Sequence, residues 1–125
     1  MADSGGKKND QEKLRVELMP VIGLLLQADV YTRGAKKYDD HNWRKGIAWN
    51  RILGAMFRHL LWYMAGETYD PEDGQHHLSS IAWGANTLME YEVTHPELDD
   101  RYIPFPAEVL RQIIDRMKKY KKEEK

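Results

Sequence analysis

Residues 50–88 read NRILGAMFRHLLWYMAGETYDPEDGQHHLSSIAWGANTL, and this stretch decides the fold. Leu53, Met56, Leu60 and Met64 recur every three or four residues, the spacing of one helix face. Asn50 is of a type that caps a helix start, and Gly66 suits a helix end. Asp70-Pro71-Glu72-Asp73 then reads as the start of a second helix: an Asp cap, a proline in the first turn, and acids where the helix dipole favours them. Leu78, Ile81, Ala85 and Leu88 supply its apolar stripe. The expectation is two antiparallel helices joined by a short connection.

Working outward, the helical pattern continues. Pro20 suits a helix start, and Val21, Leu24, Leu25 and Ala28 form a stripe in an element running to about Lys37. Tyr38 to Trp43 reads as an ordered loop. His95-Pro96 closes the helix that carries Leu88, because the residue before a proline resists helical geometry. Pro104 and Pro106 punctuate a linker, after which Val109, Leu110, Ile113, Ile114 and Met117 form a fourth stripe. No alternating run of strand type stands out. The expected fold is all-α, a bundle of about four helices. Its boundaries are a disordered lead over 1–10, one helical domain over 11–121 and a charged end over 122–125. The wide apolar faces, with small Gly54 and Gly84 permitting close helix approach, predict a homo-oligomer.

Composition removes several classes of function. Lys and Arg number 19 and Asp and Glu 20, for a net charge of −1. Nonspecific nucleic-acid binding rests on a cationic surplus, so no stable nucleic-acid partner is expected. There is no cysteine, which excludes a disulfide scaffold, a thiolate metal site and a Cys nucleophile, and fits a reducing compartment. The longest apolar run, Val21 to Leu26, is too short to cross a bilayer, and no membrane partner is expected.

Polar side chains beside the stripes carry the chemistry. Glu67 and Asp70 lie in the connection between the middle helices, and His77 on the edge of the stripe that follows. Two carboxylates and an imidazole form a ligand set for Mg²⁺ or Mn²⁺, the imidazole favouring Mn²⁺. His59 lies about two turns from Glu67, roughly 12 Å, and reaches this group from its margin. Each residue also has a plainer use: Asp70 as a cap, Glu67 as a solvated acid, His59 and His77 as hydrogen-bonded core histidines. A second cluster is basic and aromatic: Tyr31, Arg33, Lys36, Lys37, Tyr38, Asn42, Trp43, Arg44 and Lys45, with Arg58 as a further candidate phosphate contact. Lys and Arg pair with phosphate oxygens, and Tyr and Trp stack on bases. A solvated positive face with Trp43 and Trp49 anchoring a loop is the competing account. A metal set, phosphate contacts and a base platform together make the parts of a nucleotide site.

These residues also fall in blocks that resemble a known family. Tyr31-x-x-Gly34-Ala35-Lys36-Lys37-Tyr38, Asn42-Trp43-x-Lys45-Gly46, Arg58-His59-Leu60-x-x-Tyr63-x-x-Gly66-Glu67-x-x-Asp70-Pro71-Glu72 and Gly74-x-His76-His77-Leu78 are similar to the phage-associated dATP/dGTP diphosphohydrolase N-terminal domains. The resemblance runs over about residues 13–101. It implies cleavage of a purine deoxynucleoside triphosphate to monophosphate and pyrophosphate, in the cytoplasm of a phage's host. It extends distantly to the all-α MazG-type pyrophosphohydrolases, metal-dependent oligomers that carry Glu-x-x-Glu and Glu-x-x-Asp pairs. Here Glu67-x-x-Asp70 has the second spacing, while His77 and Ser80 stand where acids are expected. On this reading Glu67, Asp70 and His77 hold the metal, with His59 beside them and Glu17 as a further acid. Lys36, Lys37 and Arg33 or Arg58 bind the leaving pyrophosphate, and Asn42 and Trp43 take the base. A protein that sequesters a nucleotide without cleaving it is the alternative, and a helical module that only self-associates is a third.

Overall fold

A computed structural model describes residues 5–123, with side chains to residue 118. Among the described residues there are four α-helices: α1 (Val21–Lys37), α2 (Trp49–Met64), α3 (His77–Thr94) and α4 (Ala107–Glu123). Single-turn 3-10 helices occupy Val16–Leu18, Asn42–Lys45 and Pro96–Leu98. Among the described residues there is no strand, so the all-α expectation holds. The expected lead and charged end fall partly outside the described residues.

Proline set the boundaries that the sequence placed well. Pro20 precedes α1, α3 stops one residue short of His95-Pro96, and Pro106 precedes α4. Two caps differ. α2 starts at Trp49 after Ala48, so Asn50 is already inside the helix. Asp100 supplies the cap from the other end of the domain: its Oδ1 accepts the Asn50 N–H at 2.8 Å, and its carbonyl accepts from Asn50 Nδ2 at 2.6 Å. α3 begins seven residues after Asp70, and its cap is His76, whose Nδ1 accepts the Leu78 N–H at 3.1 Å. Asp70 instead closes a tight turn. Its Oδ1 accepts the Glu72 N–H at 2.9 Å, its carbonyl accepts Gly74 N–H at 2.7 Å, and its N–H reaches the Gln75 carbonyl at 2.8 Å. Gly74 has φ +77°, and Tyr69 and His76 pair as an isolated antiparallel bridge. Asp73-Gly74 is the dipeptide type that closes such turns, a signal the helix-start reading passed over.

α3 is the central helix, packed against α1 on one side and α2 on the other. The core is small: Trp49 and Ile52 from α2 and Tyr91 from α3, with Trp43, Ile47, Met56, Trp83, Leu88 and Leu98 packed around them. Tyr91 is fully buried and donates its hydroxyl to the Trp43 carbonyl. Tyr31 of α1 meets Thr87 of α3 at 3.2 Å between hydroxyls. The buried face of α2 is therefore Trp49, Ile52, Met56 and His59. That of α3 is His77, Gly84, Thr87 and Tyr91.

The apolar stripes read from the sequence lie largely outside this core. Val21 and Leu25 of α1, Leu60 and Met64 of α2, Leu78 of α3, and Leu110, Ile113, Ile114 and Met117 of α4 are all exposed. A central helix needs small residues where neighbours approach closely, and Gly84 serves that need. A Cβ there would lie 2.6 Å from Met56 Cγ. The larger apolar side chains are left facing outward.

Candidate active site

The inner stripe of α2 runs Trp49, Ile52, Met56 and then His59, one helical turn on. The inner stripe of α3 runs back from Tyr91 through Gly84 to His77 in its first turn. Antiparallel packing of these stripes brings the two imidazoles together, with Nδ1 atoms 2.8 Å apart and ring centroids 5.1 Å apart. His77 is fully buried. Its Nε2 lies 2.7 Å from Glu67 Oε1. An ionised carboxylate only accepts, so His77 Nε2 carries the proton and donates it. The lone pair on His77 Nδ1 then faces His59, whose Nδ1–H is the donor. Burial, and secondarily the neighbouring His77, lowers the His59 pKa from its ordinary value, which keeps that ring neutral.

Asp70 completes a group of three. His59, Asp70 and His77 each offer a ligand atom, and these atoms lie within 4.8 Å of one another. The donor set fits a divalent cation: one hard oxygen and two neutral imidazoles, a mixture that favours Mn²⁺ over Mg²⁺. Glu67 is not part of this triad. It sits behind His77 on the far nitrogen and fixes the tautomer, the usual place of a carboxylate supporting a metal-bound histidine. The sequence reading had Glu67 among the ligands and His59 at the margin. The difference arises because the Asp70–His76 turn folds back along α2. The start of α3 is thereby set beside His59 rather than beyond Met64.

His59 lines a cavity of 1210 Å³ between the C-terminal half of α1, the Tyr38–Arg44 segment and the facing sides of α2 and α3. Arg33, Lys36, Lys37, Tyr38, Asn42 and Trp43 all line it, so the basic-aromatic cluster and the histidine share one space. Their roles within it differ. Lys36, Lys37 and Tyr38 are exposed on the last turn of α1 and just beyond it, with Lys37 Nζ 5.3 Å from the Tyr38 ring centroid. Trp43 is taken up by packing. The Arg44 guanidinium lies 4.3 Å over its ring, the Tyr31 edge meets it at 5.6 Å, and Tyr91 stands 6.3 Å away. That is the loop anchor that competed with a base platform. Arg33 donates from Nε to Asp29 at 2.9 Å and from Nη1 to the Asp73 carbonyl at 2.6 Å. Arg58 is exposed and does not line the cavity; its Nη1 lies close above Gly54. Glu17 pairs with Arg15 at 3.0 Å, also outside the cavity.

The cavity residues that the sequence does not assign to the site include Trp83, Gln75 and Ser80. Ser80 and Gly84 fall at helical spacing on a face where apolar residues are expected, with Trp83 between them. That interruption was the available signal. Among the described residues no helix is long and apolar enough to cross a membrane.

Comparison with known proteins gives one consistent result. Residues 3–101 match the family described as dATP/dGTP diphosphohydrolase, N-terminal. A dATP/dGTP diphosphohydrolase of Salmonella phage PMBT28 is 32% identical over 96 residues, covering 77% of this chain and 33% of the phage protein. The chain thus spans about a third of that relative's length. No solved structure matches.

Proposed function

We propose, from the premise that the chain belongs to the family of dATP/dGTP diphosphohydrolase N-terminal domains, that it hydrolyses purine deoxynucleoside triphosphates to monophosphate and pyrophosphate with the help of Mn²⁺ or Mg²⁺. The observation that carries this reading is that His59, which groups with Asp70 and His77, also lines the cavity that Lys36 and Lys37 line. His59, Asp70 and His77 would hold the divalent cation, which when bound would supply positive charge at the phosphate and lower the pKa of a water. Glu67 holds the His77 ring in the tautomer that aims a lone pair inward. Lys36 and Lys37 provide cationic partners for the negative charge that grows on departing pyrophosphate. Asn42 supplies amide donors and acceptors for a base edge, and Tyr38 an exposed ring beside it. The phage relative supports a place in the nucleotide pool of an infected host's cytoplasm.

The test is incubation with each deoxynucleoside triphosphate and Mn²⁺ or Mg²⁺, with products resolved by ion exchange. Monophosphate plus pyrophosphate is expected. Release of single phosphate or of triphosphate would reject the reaction. The triad contains a single carboxylate, and this favours a second reading, nucleotide binding without turnover. Tight calorimetric binding with no product selects it.

The exposed stripes support self-association. A compact monomer of 14.7 kDa exposes about 6,900 Å². This chain exposes 10907 Å². Part of that surface is the exposed apolar faces of α1, α2 and α4, which an interface would cover. Light scattering is expected to show a homo-oligomer, and a monomer at micromolar concentration contradicts the expectation.

A further inference from the structure

We propose that Arg33 is a positioning residue that holds Asp70 in reach of the two histidines, acting through the turn rather than as a phosphate ligand. The inference rests on the reading of His59, Asp70 and His77 as a cation site.

The turn that presents Asp70 is built mostly from its own atoms. The Gly74 N–H donates to the Asp70 carbonyl and the Asp70 N–H to the Gln75 carbonyl, Asp70 Oδ1 caps Glu72, and Asp73 Oδ1 caps Gln75 at 2.9 Å. Such a turn is well formed internally but free to move as a unit unless something outside grips it. Ser80 reaches Gln75 from α3 at 3.3 Å, a long contact. The short one comes from α1, where Arg33 Nη1 meets the Asp73 carbonyl at 2.6 Å. Among the described residues this is the hydrogen bond that joins α1 to the turn. The guanidinium is itself fixed by Asp29, one helical turn earlier at 2.9 Å. Two bonds in a planar fork set the height and direction of the carbonyl three residues from Asp70. The same bonds engage Nε and Nη1, one donor nitrogen of each of the two forks, Nε/Nη2 and Nη1/Nη2, that a bidentate phosphate contact would use. Lysine lacks the fork, so it keeps one contact or the other.

The experiment titrates the full chain with Mn²⁺ by calorimetry, alongside thermal melting and steady-state kinetics with dATP and dGTP. Arg33→Ala is expected to weaken Mn²⁺ binding about 3- to 10-fold, less than the 10- to 100-fold typical of a direct partner of a ligand. Arg33→Lys is expected to fall between wild type and Arg33→Ala. Asp29→Asn, which leaves the arginine in place and guards against misfolding of the alanine variant, is expected to weaken Mn²⁺ in the same direction by less. At saturating Mn²⁺, KM for the nucleotide should stay within about twofold, because the turn and not the phosphate has lost its partner. Unchanged Mn²⁺ affinity with a raised nucleotide KM overturns the proposal and makes Arg33 a phosphate ligand. Unchanged Mn²⁺ affinity with only a lowered melting temperature overturns it too, leaving a plain structural tie. Wild-type protein that binds no Mn²⁺ removes the cation site, and that result is distinct from either.

Discussion

Two glycines in adjacent helices should respond oppositely to the same substitution. A Cβ at Gly84 would meet Met56 Cγ at 2.6 Å, Met56 Sδ at 2.8 Å and Ile52 Cγ2 at 3.2 Å. These atoms belong to the inner face of α2, so either Met56 changes rotamer or the two helices part. Overpacking of this kind costs about 1–3 kcal/mol. The gain in helix propensity from glycine to alanine offsets about 1 kcal/mol of it. Gly84→Ala should therefore destabilise by about 0–2 kcal/mol. At Gly54 the nearest obstacle is the tip of the Arg58 side chain, 3.2 Å away, which can swing into solvent. Gly54→Ala should keep nearly the whole propensity gain and stabilise by about 0.5–1 kcal/mol. Urea unfolding of both variants at one fixed protein concentration measures the difference, since self-association makes stability concentration-dependent. Equal and stabilising shifts would refute the close α2–α3 contact and the His59–His77 apposition that depends on it. Gly84→Ala should also weaken Mn²⁺ binding, because parting the helices separates the imidazoles.

Three further predictions concern single side chains. Glu67→Gln keeps the shape but loses the carboxylate behind His77; Mn²⁺ affinity should fall about 10- to 100-fold by calorimetry, and no change means Glu67 does not orient the ring. Tyr91→Phe removes a buried hydrogen bond to the Trp43 carbonyl, which keeps the Gly46 N–H at 3.2 Å, and should cost about 0.5–1.5 kcal/mol in denaturant unfolding. The third is a pH dependence. The Arg44 carbonyl, and then Glu97, raise the His95 pKa, so its contribution is complete below pH 6.5 and fades as pH rises through the raised value. The His95 contact lowers the Glu97 pKa, so its contribution is present above pH 4.5 and fades as pH falls through the lowered value. Thermal melts of Glu97→Gln should show a shallower loss of stability above pH 6.5 than wild type.

What was legible in the sequence follows from which residues carry unambiguous physics. Proline cannot continue a helix from the wrong end, so Pro20, Pro96 and Pro106 marked the boundaries of α1, α3 and α4 within a residue or two. Asp before Pro has two physical uses, a helix cap or a turn, and the competing Asp73-Gly74 turn won at Asp70. The clustering of Lys36, Lys37, Tyr38 and Asn42 around one cavity was readable because they are close in the chain. The pairing of His59 with His77 was not. It depends on the Asp70–His76 turn folding back along α2, and distance counted along a helix from Glu67 cannot show that. Apart from Met56 and Leu88, which pack on the core, the inner faces were hidden for a related reason. A helix packed on two sides favours glycine, threonine and a satisfied histidine, whereas an apolar count finds the outward stripe instead.

The account stands or falls on whether His59, Asp70 and His77 bind one divalent cation together. Mn²⁺ titration of the wild-type protein and of His59→Ala, Asp70→Asn and His77→Ala, each checked for retained helicity, measures this directly. The account predicts one Mn²⁺ bound by the wild type and a large loss of affinity in every variant. Folded variants that bind Mn²⁺ as the wild type does would contradict it.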